Sequence, residues 1–125
     1  MTEECAELFP PLFQRVVHTD KTPDEIMDAA ADIIDARGWT RGVFYNNETG
    51  GVCTYGAIRL VVFPNDAVLV SNDYCPELIV TMEFMRPPIE GKKSVPHWND
   101  NYCENSGEAA DFLRSEAKRY REQMT

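Results

Sequence analysis

Two histidines, His18 and His97, are all this chain offers as imidazole bases, and neither sits in a serine- or cysteine-hydrolase signature. Basic residues are scarce too: 12 Lys and Arg stand against 21 Asp and Glu, a net charge of −9. Such a surface repels nucleic-acid backbones and anionic membranes, so direct binding to either is not expected. No window approaches the roughly 20 apolar residues of a membrane-spanning helix. The opening Met1-Thr2-Glu3-Glu4-Cys5-Ala6-Glu7 is acidic, opposite to a signal peptide, which makes a cytoplasmic location the expectation. No two of Cys5, Cys53, Cys75 and Cys103 fall at zinc-finger spacing. Without a secretory signal, and in a domain of this size, the thiols are expected to be reduced, and neither a metal nor another cofactor is expected. Internal repeats and low-complexity segments are absent as well.

What the chain does have is a length of 125 residues and a hydrophobic fraction of 43%, enough for one domain with a real core. The reading is a single domain over 1–125, with 1–21 as a helical extension and 22–122 as the core. The negative charge is uneven. Residues 1–36 hold nine acids against Arg15 and Lys21, which places −7 of the −9 in the N-terminal third.

The best-marked element is a helix over about 23–37. Thr22 and Glu25 form a capping-box pair, and Pro23 suits the first helical position. Ile26, Ala30, Ile33, Ile34 and Arg37 follow the helical period and are expected to face inward. Gly38 offers a left-handed stop, with Trp39 folding back on Ile34. Opposite the apolar stripe lie Asp24, Asp28, Asp32 and Asp35, like charges on neighbouring turns with no lysine on the face to relieve them.

Elsewhere the signals are mixed. Residues 3–18 read as two short helical pieces broken around Pro10 and Pro11. Val43-Phe44-Tyr45 is either a short strand or a buried loop anchor. Across 53–63 the β-branched residues and Gly56 favour a strand, whereas Cys53, Ala57, Leu60 and Val61 share a helical face, and periodicity does not decide. Pro76 opens a helix to about Met85, residues 89–96 read as a loop leading to a turn at Trp98-Asn99-Asp100, and a last helix begins near Asn105 or Ser106.

Three landmarks in order, Gly38-Trp39-Thr40-Arg41-Gly42, Gly51-Val52-Cys53-Thr54-Tyr55-Gly56-Ala57-Ile58 and Trp98-Asn99-Asp100, resemble a small uncharacterised domain family of actinomycetes and their phages. The resemblance covers roughly 24–122. It implies a mostly helical single domain, tips 53–63 toward helix, and implies no activity. The expected fold is therefore all-α, a compact orthogonal bundle of four to five helices, with a short strand or extended loop near 43–45 and Gly56 at a close helix–helix contact.

Two kinds of function fit these residues. The first is a non-enzymatic protein-binding module using Asp24, Asp28, Asp32 and Asp35 against a basic partner. A phage-encoded modulator of a host protein is one form of it, and mimicry of DNA toward a DNA-binding protein a narrower one. On this reading, replacing Asp28, Asp32 and Asp35 by lysine should sharply weaken binding and leave the fold intact. The second is a small enzyme or ligand-binding domain with a pocket near Trp39, Cys53, His97, Trp98, Asn99 and Asp100. Each of these six has a plainer role as well: Cys53 as a small core residue, the tryptophans as core pillars, Asn99 and Asp100 as turn or cap residues.

Overall fold

The computed structural model describes residues 21–63, 76–89 and 94–124. Among them the chain forms five helices and no sheet: α1 (Pro23–Arg37), α2 (Thr54–Val62), α3 (Pro76–Phe84), α4 (Val95–Asn101) and α5 (Ser106–Met124). The fold is an all-α bundle. The helical pieces expected within 3–18 lie outside the described residues.

Helix α1 starts as its sequence dictates. The Thr22 backbone N–H donates to Glu25 Oε1 at 3.0 Å, and the Thr22 hydroxyl donates to Asp24 Oδ1 at 2.6 Å. Ile26, Met27, Ala30, Ala31 and Ile34 are buried. Arg37, expected to face inward, is exposed; its guanidinium lies 4.9 Å over the Tyr45 ring and its Nε donates to the Gly50 carbonyl, so its stem covers the following loop instead of the core. Gly38 adopts φ +96° with ψ 171°, a conformation only glycine holds comfortably, but extended and not the left-handed turn of a Schellman stop. The chain therefore leaves α1 straight into an isolated bridge between Trp39 and Val52.

The long helix α5 packs along α1. Ala109, Ala110 and Ala117 of α5 and Ala30 and Ala31 of α1 are all buried in the common core, and small side chains on both helices allow close approach. Charge fixes the direction: Arg121 pairs with Asp24 and Asp28 near the start of α1, Arg114 with Asp32 and Asp35 near its end, so the two helices run antiparallel. Helix α3 is tied to α5 through Glu116, a nearly buried carboxylate. It accepts from the Arg86 backbone N–H at 2.8 Å and from both Nε and Nη2 of Arg119. Arg119 also donates to the Phe84 carbonyl and stacks 4.0 Å over the Phe84 ring.

The run that periodicity left open is helical. Ala57, Ile58 and Val62 of α2 are wholly buried against the rest of the core, and this burial overrides the β-branched propensity. Gly56 does sit at a close approach, though to the loop and not to a helix: a Cβ there would lie 2.2 Å from the Phe44 carbonyl oxygen. The strand expected near 43–45 reduces to one residue, Tyr45, bridged to Val52, while Val43 and Phe44 are half exposed. Residues 95–101, expected as loop and turn, form the short helix α4. Ser94 Oγ caps it by accepting from the His97 N–H at 3.1 Å, and Pro96 sits in its first turn.

Candidate functional site

The three landmark motifs converge on one side chain. Asn99, fully buried on α4, accepts at Oδ1 from the Trp39 indole N–H (2.7 Å), the Thr54 backbone N–H (3.0 Å) and the Thr54 hydroxyl (2.7 Å). Its Nδ2 donates to the Thr40 carbonyl (3.1 Å) and to Asp100 Oδ1 (3.0 Å). Donors crowd one end of the amide and acceptors the other, so only one orientation of the group satisfies the network. Asp100 Oδ1 also accepts from the Gly42 N–H at 2.9 Å, and Arg41 donates through Nη2 to the Cys103 carbonyl while lying over the Trp39 ring. Every residue from Trp39 to Gly42 is thereby clasped by the segment 99–103, with the N-terminus of α2 held at the centre. No buried side-chain nitrogen or oxygen among the described residues lacks a partner.

This clasp is what the landmark residues do locally, and it frames the comparison with other proteins. A family of unknown function (DUF6197) matches residues 18–119. The chain belongs to this family. No curated protein and no solved structure matches it. Thr54, which sequence reasoning missed, is as central to the clasp as Asn99. The one signal for it was a hydroxyl at the head of an otherwise apolar run.

Of the six candidate pocket residues, Trp39, Cys53, Asn99 and Asp100 belong to this packed polar knot or its rim. The His97 ring packs 5.8 Å from the Tyr102 ring. Cys53 caps α2, its sulfur accepting from the Gly56 N–H at 3.2 Å. Burial pushes the Cys53 thiol above its ordinary value despite these helix-terminal donors, and burial does the same to Cys103, whose Sγ donates to the Asn105 carbonyl. A protonated, buried thiol is a poor nucleophile. Neither is in a disulfide. Native protein at pH 7.5 is expected to label at Cys53 and Cys103 at least about 100-fold more slowly than urea-unfolded protein, because reaction needs opening of the core. Alkylation followed by peptide mass measurement checks this, and rapid labelling of Cys53 in the native state would contradict it. Cys5, Cys75 and His18 lie outside the described residues.

The acidic stripe is engaged within the molecule. Arg114 Nη2 reaches Asp32 (2.9 Å) and Asp35 (2.7 Å); Arg121 reaches Asp24 (2.9 Å) and Asp28. The relief absent from α1 itself comes from α5, and it changes the expectation for charge reversal. Lysines at 28, 32 and 35 would face Arg114 and Arg121, so that triple variant is expected to melt several degrees lower; asparagine is the cleaner substitution. Asp24 is the least exposed of the four: burial pushes its carboxyl up, but hydrogen bonds from Thr22 and Arg121 outweigh this and hold it below the usual value of 3.8. Because the folded state holds the lower value, Asp24 contributes stability above about pH 4 that is lost as pH falls below it. Thermal melts from pH 6 to pH 2 should show a smaller acid decline in Asp24→Asn than in the parent.

A separate cleft of about 560 Å³ opens on the other flank of α5, lined by Trp98, Tyr102, Phe112, Asp111 and the α3–α4 side residues Arg86 and Ile89 among others. Of the six candidate pocket residues only Trp98 is among those lining it. Among the described residues no group of three or more His, Cys, Asp or Glu is arranged to hold a metal ion, and no helix is long and apolar enough to cross a membrane.

Proposed function

We propose that this protein is a non-enzymatic protein-binding module whose partner presents a basic surface. The observation that carries the reading is the charge left on the α1–α5 face. Four aspartates share two arginines, so the face keeps an excess of negative charge, and the Asp32 and Asp35 side chains stay 77% and 52% exposed. Charge of one sign on a rigid face steers an oppositely charged partner and raises its association rate. The use of the landmark side chains supports the same reading, since Trp39, Thr54, Asn99 and Asp100 satisfy one another and hold the scaffold. The resemblance to phage-borne domains extends the proposal to a modulator of a host protein. Mimicry of DNA gains nothing from the geometry, because Arg114 and Arg121 interrupt the row of negative charge.

The test is capture from host lysate with the immobilised protein at low salt, about 50 mM, followed by rebuilding of the complex from purified components. The reading expects one basic protein that binds with fixed stoichiometry and associates markedly more slowly as salt rises, since exposed charges are screened beyond a Debye length of about 8 Å at physiological ionic strength. A small molecule that raises the melting temperature, with no protein that rebinds from pure components, would support the ligand-binding alternative instead.

A further inference from the structure

The cleft on the far flank of α5 has three properties that together specify an occupant. Its floor is aromatic: the Trp98 and Phe112 rings pack at a tilt of 43° with centroids 4.7 Å apart, and Tyr102, half exposed, borders the opening. At its edge stands Asp111, an exposed carboxylate with no ion-pair partner among the described residues, unlike Glu116 deeper in, which Arg119 neutralises. The third property is Trp98 itself. It is only 4% exposed, yet its indole N–H donates to nothing among the described residues, whereas the Trp39 indole is firmly held by Asn99. Because no buried side-chain nitrogen among the described residues lacks a partner, the Trp98 nitrogen reaches the accessible surface, and Trp98 lines this cleft.

An indole donor and a carboxylate that have no partner among the described residues, set in and beside an aromatic floor, match a polypeptide better than a simple apolar ligand. Glu108, Phe112 and Ser115 lie along one side of α5, about a third of a turn from Arg114 and Arg121, with Asp111 between them, so the cleft adjoins the paired acidic face along Asp111. We infer that the cleft takes an extended segment of the partner in which an apolar side chain lies on Trp98 and Phe112, a backbone carbonyl accepts from the Trp98 indole, and a neighbouring arginine or lysine pairs with Asp111. The inference rests on the protein-binding reading and adds to it the place and chemistry of contact. The volume suits such an insertion, lying within the roughly 300–1,000 Å³ of sites that enclose small ligands.

The probe is the tripeptide Ac-Leu-Arg-Leu-amide, with Ac-Leu-Gln-Leu-amide and Ac-Leu-Glu-Leu-amide as controls, titrated into the full chain while the two indole N–H resonances are followed by NMR. The expected result is a saturable downfield shift of the Trp98 indole with the Trp39 indole unmoved. Affinity should weaken about fivefold for the glutamine peptide or for Asp111→Asn, and further for the glutamate peptide. Trp98→Phe, which keeps an aromatic ring and deletes the donor, should also weaken binding. Asp111 is exposed, so its variant should melt like the parent. The absence of a saturable Trp98 shift, or equal binding of the arginine and glutamine peptides, would overturn the inference. So would a reconstituted partner that binds Asp111→Asn as tightly as the parent, and that outcome would leave the protein-binding reading standing.

Discussion

Replacing Asn99 by alanine is expected to lower stability by about 3–5 kcal/mol. The change strips the Trp39 indole N–H and both donors of Thr54 of their acceptor and frees the Thr40 carbonyl, all in a region with no exposure at Asn99 or Thr54. Each buried group left unpaired costs roughly 1–3 kcal/mol, and neighbours in one network do not add fully. Set against the 5–15 kcal/mol that typically separates folded from unfolded domains, this brings the protein close to unfolding at 37 °C. Asn99→Asp provides a sharper signature. The new carboxyl keeps the three donors satisfied but turns its second oxygen toward the Thr40 carbonyl and the Asp100 carboxylate. Protonation relieves that contact, so the group's folded value lies above its unfolded one. Its stability is then greatest below about pH 4 and declines as pH rises toward neutrality, the reverse of the Asp24 dependence. Melts of Asn99→Asp relative to the parent at pH 4 and pH 7 measure the difference, and a deficit independent of pH would argue against the geometry at Asn99.

The second large effect is expected at Gly56. On helix propensity alone Gly56→Ala should stabilise α2 by about 1 kcal/mol. The added methyl, however, would lie 2.2 Å from the Phe44 carbonyl oxygen and 3.0 Å from its carbon. Those are backbone atoms, and the same carbonyl accepts from the Cys53 N–H, so the loop cannot move away without losing that bond at the start of α2. Overpacking against backbone outweighs the propensity gain, giving a net loss of about 2–3 kcal/mol and a melting temperature roughly 8–12 °C lower. A neutral or stabilised Gly56→Ala variant, measured by calorimetry, would show that the loop does not rest on α2.

Periodicity and caps make α1 and α5 legible in the sequence, because each carries its own start signal and an apolar face repeating at 3.6 residues. Helix α3 is legible from Pro76 at its first position, though it ends at Phe84, one residue earlier than the sequence suggests. The short helix α4 is not, although Ser94 and Pro96 mark its start; seven residues are too few to display a period, and Trp98-Asn99-Asp100 reads equally well as a turn. Gly56 is legible as a close approach, but not what approaches it, since Phe44 lies in a loop with no pattern of its own. The hydrogen bonds of the clasp are beyond sequence reasoning for a related reason. Asn99 meets Trp39 from 60 residues away and Thr54 from 45, and local rules for asparagine describe turns and caps within a few residues. The arginines that pair with the acidic stripe lie 79 to 97 residues further along the chain, so α1 taken alone shows only repulsion.

Asn99 joins the three landmark motifs into one buried knot, and the Trp39 indole N–H reports on whether that knot is closed. Hydrogen exchange at that nitrogen, followed by NMR in the folded parent, should be slowed to the rate of the core amides of α1 and α5, since release requires the knot to open with the rest of the fold. In Thr54→Ala, which keeps the Trp39–Asn99 bond, most of the protection should remain once overall stability is accounted for. Exchange of the Trp39 indole at the rate of a free indole, in protein whose α1 and α5 amides stay protected, would contradict the account.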